Sequence, residues 1–193
     1  MRDNKLQFLE DRIISGKDDI IMMSWERPLM ERHAEAVCQN GGNILEIGFG
    51  MGISAQYIQE QDIDSHTIIE IHPEIAKKAR KWARDKENVE ILEADWYDIK
   101  DSLKTYDGIF YDAEYDSHKG EFYDLVKKVL KDDGVFTFFN PQGDNVNQRN
   151  KQRQWYRNYH SIKEIIRYEL IDIDPPKNPY LKSDIYYLPI VKS

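Results

Sequence analysis

Cysteine is nearly absent from this chain. Cys38 is the only one in 193 residues, which excludes an internal disulfide and a cysteine-built zinc site. No apolar stretch approaches the roughly 20 residues that a membrane span requires, and the opening Met1-Arg2-Asp3-Asn4-Lys5 carries no apolar signal core. A cytoplasmic protein is expected. Positive charge is also in the minority, with 27 Lys and Arg against 35 Asp and Glu and a formal net charge of −8. Such a balance argues against a surface that tracks phosphate backbones or anionic lipid, so no nucleic-acid or membrane partner is expected. Small molecules and cationic partners are favoured. The five histidines, His33, His66, His72, His118 and His160, show no close metal-ligand spacing, and packing or surface roles are expected for them.

What is present suffices for one core. With 40% hydrophobic residues, 193 residues are too few for two ordinary enzyme domains, and a single domain over 1–193 is expected. Within it, 1–40 reads as an N-terminal lid and helix, 41–140 as a ligand-binding core, and 141–193 as a substrate loop with the closing strands. Helix-friendly sequence from Glu31 to Gln39 ends at Gly41-Gly42. The run Asn43 to Ile47 suits a buried strand and breaks into Gly48, Gly50 and Gly52, a strand, tight turn and helix start. Further strands are expected at 65–71, 88–92, 106–112 and 135–139, with helices at 54–59, 73–84 and 122–130 between them. This alternation predicts a parallel sheet with helices on both faces. Two late strands, within 162–170 and 172–187, are interrupted by Pro175-Pro176 and Pro179 and suit antiparallel pairing near a sheet edge. The polar segment 140–160 reads as a surface loop or flap.

In doubly wound sheets ligands bind beyond the carboxyl ends of the strands, and each expected strand here ends in a residue suited to that work. Glu70 lies close to twenty residues past the glycine loop, the offset expected of an acid that takes ribose hydroxyls. Ala94-Asp95-Trp96 follows the third strand, where Asp95 suits an adenine amino group and Trp96 suits either ring stacking or the core. Asp112 ends a buried apolar strand, where a carboxylate is costly unless paired with a cation, and it is the leading catalytic candidate. Glu114 and Asp116 are weaker candidates, and Asn140 ends the fifth strand. Upstream, the Met- and Trp-rich stretch Ile20 to Met30 suits packing, and its three methionines, Met22, Met23 and Met30, also suit a lid over a ligand with a sulfur and an adenine; Glu26 interrupts it with a carboxylate that wants a cation.

Trp25-Glu26-x-Pro28-x-Met30, Leu45-Glu46-Ile47-Gly48-Phe49-Gly50-Met51, Ile68-Ile69-Glu70, Tyr106-Asp107-Gly108-Ile109-x-Tyr111-Asp112 and Asn140 together resemble the guanidinoacetate N-methyltransferase group, which includes the protein arginine delta-N-methyltransferases. The resemblance covers almost the whole chain. It implies a class I methyltransferase fold, an α/β doubly wound and mostly parallel seven-stranded sheet with an antiparallel edge strand, and S-adenosyl-L-methionine as cofactor. By that similarity Met22 and Met30 line the cofactor, and Glu46, Gly48, Phe49, Gly50, Met51, Gly52, Ile53 and Ser54 wrap its methionine part. Glu70 takes the ribose, Ala94, Asp95 and Trp96 the adenine, and Asp112 also borders it. Glu26 and Asp112 grip a guanidinium, with Asn140, Pro141 and Gln142 completing the substrate site. A planar guanidinium matches carboxylates through paired, charge-assisted hydrogen bonds, so the chemistry agrees with the residues. Asp112 is the expected general base and Glu26 the second clamp.

The expected acceptor is a small guanidino compound, and the expected assembly a monomer or homodimer. Pro141 stands where the group offers a backbone N–H to the substrate carboxylate, and proline has no such donor. Free arginine or an arginine in a peptide therefore stands beside guanidinoacetate, with Arg149, Lys151 or Arg153 as substitute contacts. A metal-dependent O-methyltransferase would want another carboxylate beside Asn140, where this chain has Phe139. A binding protein without transfer activity would need neither Glu26 nor Asp112.

Overall fold

A computed structural model describes residues 5–16, 19–113, 118–140, 166–174 and 185–192. It opens with three short strands, β1 (Leu6–Phe8), β2 (Arg12–Ser15) and β3 (Ile20–Met23), in an antiparallel sheet of order β1-β2-β3. This sheet lies within the expected lid and helix of 1–40, and its strands of three or four residues are too short for a period-2 pattern to stand out. Its inner residues Leu6 and Ile13 pack with Phe49, Ala55, Ile68, Ile75 and Ala79 of the main body.

After a 3-10 turn (Ser24–Glu26), helix α1 (Arg27–Val37) begins with Pro28 in its first turn, where a missing N–H costs nothing. Leu29, Met30, His33, Ala34 and Val37 form its buried face at helical spacing. The core then alternates β4 (Asn43–Ile47), α2 (Ile53–Gln59), β5 (Ser65–Glu70), α3 (Pro73–Trp82), β6 (Val89–Glu93), α4 (Trp96–Ile99), β7 (Tyr106–Tyr111), α5 (Lys119–Val129) and β8 (Leu130–Phe138). Two closing strands follow, β9 (Ile166–Asp172) and β10 (Ile185–Lys192).

Seven strands form one sheet in the order β6-β5-β4-β7-β8-β10-β9. β4 through β8 pair in parallel, while β10 runs antiparallel to both β8 and β9. The antiparallel strand thus sits one place in from the edge, with β9 outermost. Side-chain alternation divides the core. Ile44, Phe110, Val135, Leu188 and Ile190 face α1 and α2, and Leu45, Ile47, Ile109, Tyr111, Phe136 and Phe138 face α5. Strand β8 begins earlier than the expected 135–139, with a register shift against Tyr106/Gly108 beside the left-handed Asp133. Pro189 lies inside β10, where it lacks a ladder donor; its carbonyl accepts from Thr137 Oγ1 at 2.7 Å. Among the described residues no helix is long and apolar enough to cross a membrane.

Candidate active site

Strand order reverses between β4 and β7, since β5 and β6 step away on one side and β7 and β8 on the other. In such sheets the crevice beyond the carboxyl ends at this point is where ligands bind. The parallel ladder continues one residue past the strands and aligns the loops there. Gly48 N–H donates to Ile69 O at 2.9 Å, Asp112 N–H to Ile47 O at 2.9 Å, Phe139 N–H to Tyr111 O at 2.9 Å, and Ala94 N–H to Glu70 O at 3.2 Å. Glu70, Ala94, Asp112 and Asn140 are consequently brought to one end of the sheet, around the glycine loop.

Gly48 has a φ of 92°, and a Cβ there would lie 2.3 Å from the Asp112 backbone oxygen. Only glycine permits this approach of the first strand-end loop to the segment that carries Asp112. Gly50, with a φ of 53°, faces Met22, whose Sδ would lie 2.6 Å from an added Cβ. Met51 N–H also donates to that sulfur at 3.3 Å, a weak acceptor. The stretch before α1 is therefore seated directly on the glycine loop, and Glu26 follows four residues later at the start of α1. The Glu26 carboxylate is buried and accepts from Met23 N–H at 2.6 Å, which satisfies a buried donor at the start of the 3-10 turn.

Glu70 does more than the sequence reading gave it. Its two oxygens accept from Phe49 N–H at 2.9 Å and His72 N–H at 2.7 Å, so the carboxylate braces the glycine loop against the start of α3. Burial pushes its carboxyl above the ordinary range, opposed by those backbone N–H groups. Asp95 accepts from Tyr97 N–H at 2.9 Å and caps α4. Trp96, left open between stacking and core, is 3% exposed and packs edge-on against Phe122 with centroids 4.9 Å apart. His118, at the start of α5, stacks on Tyr97 at 3.9 Å.

Several residues of the wrapping segment turn inward. Phe49 packs against Trp82 at 5.5 Å and Ile53 lies in the core, as does Met30 of α1. Glu46, wholly buried, accepts from Ser54 Oγ and so ties β4 to the first turn of α2. Its other oxygen lies 2.9 Å from His66 Nε2, although the angles there miss those of a hydrogen bond. Burial, aided by the nearby Glu46, pushes the Cys38 thiol up to about 12. Gly52 precedes α2 in a left-handed conformation. Pro141, Gln142, Glu114, Asp116, Arg149, Lys151 and Arg153 fall outside the described residues. Among the described residues no group of three or more His, Cys, Asp or Glu gathers to hold a metal.

Sequence reading missed a buried polar chain beneath Asn140. His33, fully buried on α1, lies 2.7 Å from Thr137 Oγ1 and 2.8 Å from Tyr186 Oη, while Asn140 N–H donates to Tyr186 Oη at 2.8 Å. Asn140 Nδ2 donates to Tyr187 O at 3.0 Å. The available signal was a lone histidine on the apolar face of a helix, which by itself names no partner.

Residues 9–183 match the family described as Guanidinoacetate N-methyltransferase. The chain belongs to this family. Among curated relatives, Protein arginine N-methyltransferase 2 of Kluyveromyces lactis is 30% identical over 215 residues, covering 97% of this chain and 51% of the relative. The protein of the same name from Saccharomyces cerevisiae is 36% identical over 154 residues, covering 72% of this chain and 37% of the relative. The chain thus spans about half or less of the length of these relatives. Spermidine synthase from Thermotoga maritima shares the fold with a TM-score of 0.69 at 17% identity, over 97% of this chain and 72% of that one. M. jannaschii TYW2 in complex with AdoMet does so with a TM-score of 0.62 at 16% identity, over 100% of this chain and 86% of that one. The doubly wound, mostly parallel sheet expected from the sequence is the sheet found.

Proposed function

We propose that the protein is an S-adenosylmethionine-dependent N-methyltransferase that acts on a guanidino nitrogen. The observation that carries this reading is the alignment of Glu70, Asp112 and Asn140 at neighbouring strand ends, around a glycine loop covered by Met22. When bound, S-adenosylmethionine supplies an electrophilic methyl on a sulfonium. The residues suit that group. Gly48, Gly50 and Gly52 carry no side chain along the loop, Phe49 between them turns inward, Glu70 offers a buried carboxylate for hydroxyls, and Met22 brings a polarizable apolar contact.

In this reading Asp112 and Glu26 each accept N–H bonds from the planar guanidinium and hold one nitrogen toward the methyl. Methylation of that nitrogen would break the sulfonium S–CH3 bond and leave S-adenosylhomocysteine, and the proton the nitrogen sheds would pass to the Asp112 carboxylate. Burial of Glu26 strengthens its pull on a cation by lowering the local dielectric.

Two observations bear on the acceptor. Relatives named Protein arginine N-methyltransferase 2, together with the net charge of −8, favour an arginine side chain in a cationic polypeptide. The family description favours a small guanidino compound, the second reading. We read 1–193 as one domain, supported by the packing of Leu6 and Ile13 on Phe49 and Ile75. The test is release of S-adenosylhomocysteine with guanidinoacetate, arginine and an arginine-rich peptide in parallel. Asp112→Asn should lower turnover by about 10²–10⁴-fold while leaving S-adenosylhomocysteine affinity nearly intact, and undiminished turnover would refute the base assignment.

A further inference from the structure

We propose that His33, as the neutral tautomer protonated on Nδ1, is a positioning residue that fixes Asn140 through the Tyr186 hydroxyl. This rests on the reading of Asn140 as part of the methyl-acceptor site. The chain runs from Asn140 N to Tyr186 Oη at 2.8 Å, Tyr186 Oη to His33 Nε2 at 2.8 Å, His33 Nδ1 to Thr137 Oγ1 at 2.7 Å, and Thr137 Oγ1 to Pro189 O at 2.7 Å. Its two ends fix its direction. A backbone N–H only donates and a backbone C=O only accepts, so Thr137 spends its proton on Pro189 and must accept from Nδ1–H. Nε2 is then the acceptor, Tyr186 spends its proton there, and the Tyr186 oxygen accepts from Asn140. Four donors fill four bonds in one sense.

A doubly protonated His33 would break this order, because Nε2–H would meet the Tyr186 oxygen and displace its proton. Burial opposes that state and pushes His33 down to about 3. The ring is further held by stacking on Phe110 at 4.7 Å. The members come from α1, β8 and β10, so the chain ties the end of β8 to a helix on one side and to the antiparallel strand on the other. With Asn140 Nδ2 also bound to Tyr187 O, both the backbone and the side chain of Asn140 are oriented by β10.

Nitrogen-15 NMR of the full chain should show His33 protonated on Nδ1, with a slowly exchanging Asn140 amide. Kinetics use whichever of guanidinoacetate, arginine and an arginine peptide the wild type methylates. Tyr186→Phe removes one oxygen and should raise the acceptor KM about tenfold, part of the roughly hundredfold that a misplacement on the order of 1 Å brings. S-adenosylhomocysteine affinity should stay within about twofold. His33→Gln, which offers one donor and one acceptor, should keep the acceptor KM within about threefold, and His33→Leu should behave like Tyr186→Phe. A purely structural role would lower Tm in these variants without separating acceptor KM from S-adenosylhomocysteine affinity. An unmoved acceptor KM in folded Tyr186→Phe, or a proton on Nε2, overturns the proposal. If the wild type methylates none of the three while the tautomer is as expected and Tyr186→Phe speeds Asn140 exchange, the acceptor reading fails and the fixing of Asn140 stands.

Discussion

Lowering the pH from 7 to 5 should remove about 2 kcal/mol of folding stability through His33 alone. In the folded protein burial holds this imidazole at about 3, against an ordinary value of 6.5. Above pH 6.5 neither state is protonated and the contribution is fully present. As the pH falls from 6.5 toward 3, the unfolded chain takes up a proton that the folded chain refuses, and stability declines by about 1.4 kcal/mol per pH unit. Integrated from pH 7 to pH 5, this comes to about 2 kcal/mol. His33→Gln removes the titration while keeping one donor toward Thr137 and one acceptor toward Tyr186. Urea unfolding of both proteins at the two pH values isolates the effect. Glu70 works in the opposite direction, since its raised carboxyl binds a proton more readily when folded, but it is present in both proteins and cancels in the comparison. Equal losses in wild type and His33→Gln would refute the assignment of a neutral, buried His33.

Other outcomes follow from the same geometry. Gly48→Ala places a methyl 2.3 Å from the Asp112 backbone oxygen at a positive φ, and should destabilise by about 2–4 kcal/mol, whereas Gly50→Ala meets only the flexible end of Met22 and should cost less; thermal unfolding of the pair checks the order. Cys38, buried and raised to about 12, is about one part in ten thousand thiolate at pH 8. A thiol reagent should label nothing in the native protein and one equivalent after denaturation, and rapid native labelling would contradict its burial. Glu26→Gln should weaken acceptor binding more than S-adenosylhomocysteine binding, measured by calorimetry; the reverse would place Glu26 with the cofactor instead.

Where a residue's place in the fold depends on its neighbours in the chain, that place was legible in advance. The glycine loop, the acid some twenty residues on, and the aspartate ending an apolar run are local patterns, because a parallel sheet places every strand end at one edge of the fold. What escaped were pairings across the chain. The spacing of Glu46 gives no hint that it ties α2 to β4 through Ser54, and Trp96 could be assigned to the core only once Phe122 lay beside it. The three strands within 6–23 escaped because each is too short to show a period.

Family and architecture were thus determined by the sequence itself: residues 9–183 carry the family's pattern, and the alternation of apolar runs with helical stretches dictates the parallel core. Only the tertiary structure decided that the Glu70 carboxyl is raised and how Asn140 is set. Those depend on burial and on partners more than a hundred residues apart, as with His33 and Thr137 or His33 and Tyr186. A hydrogen bond's direction is fixed by which groups meet at its ends, and sequence order does not encode which groups those are.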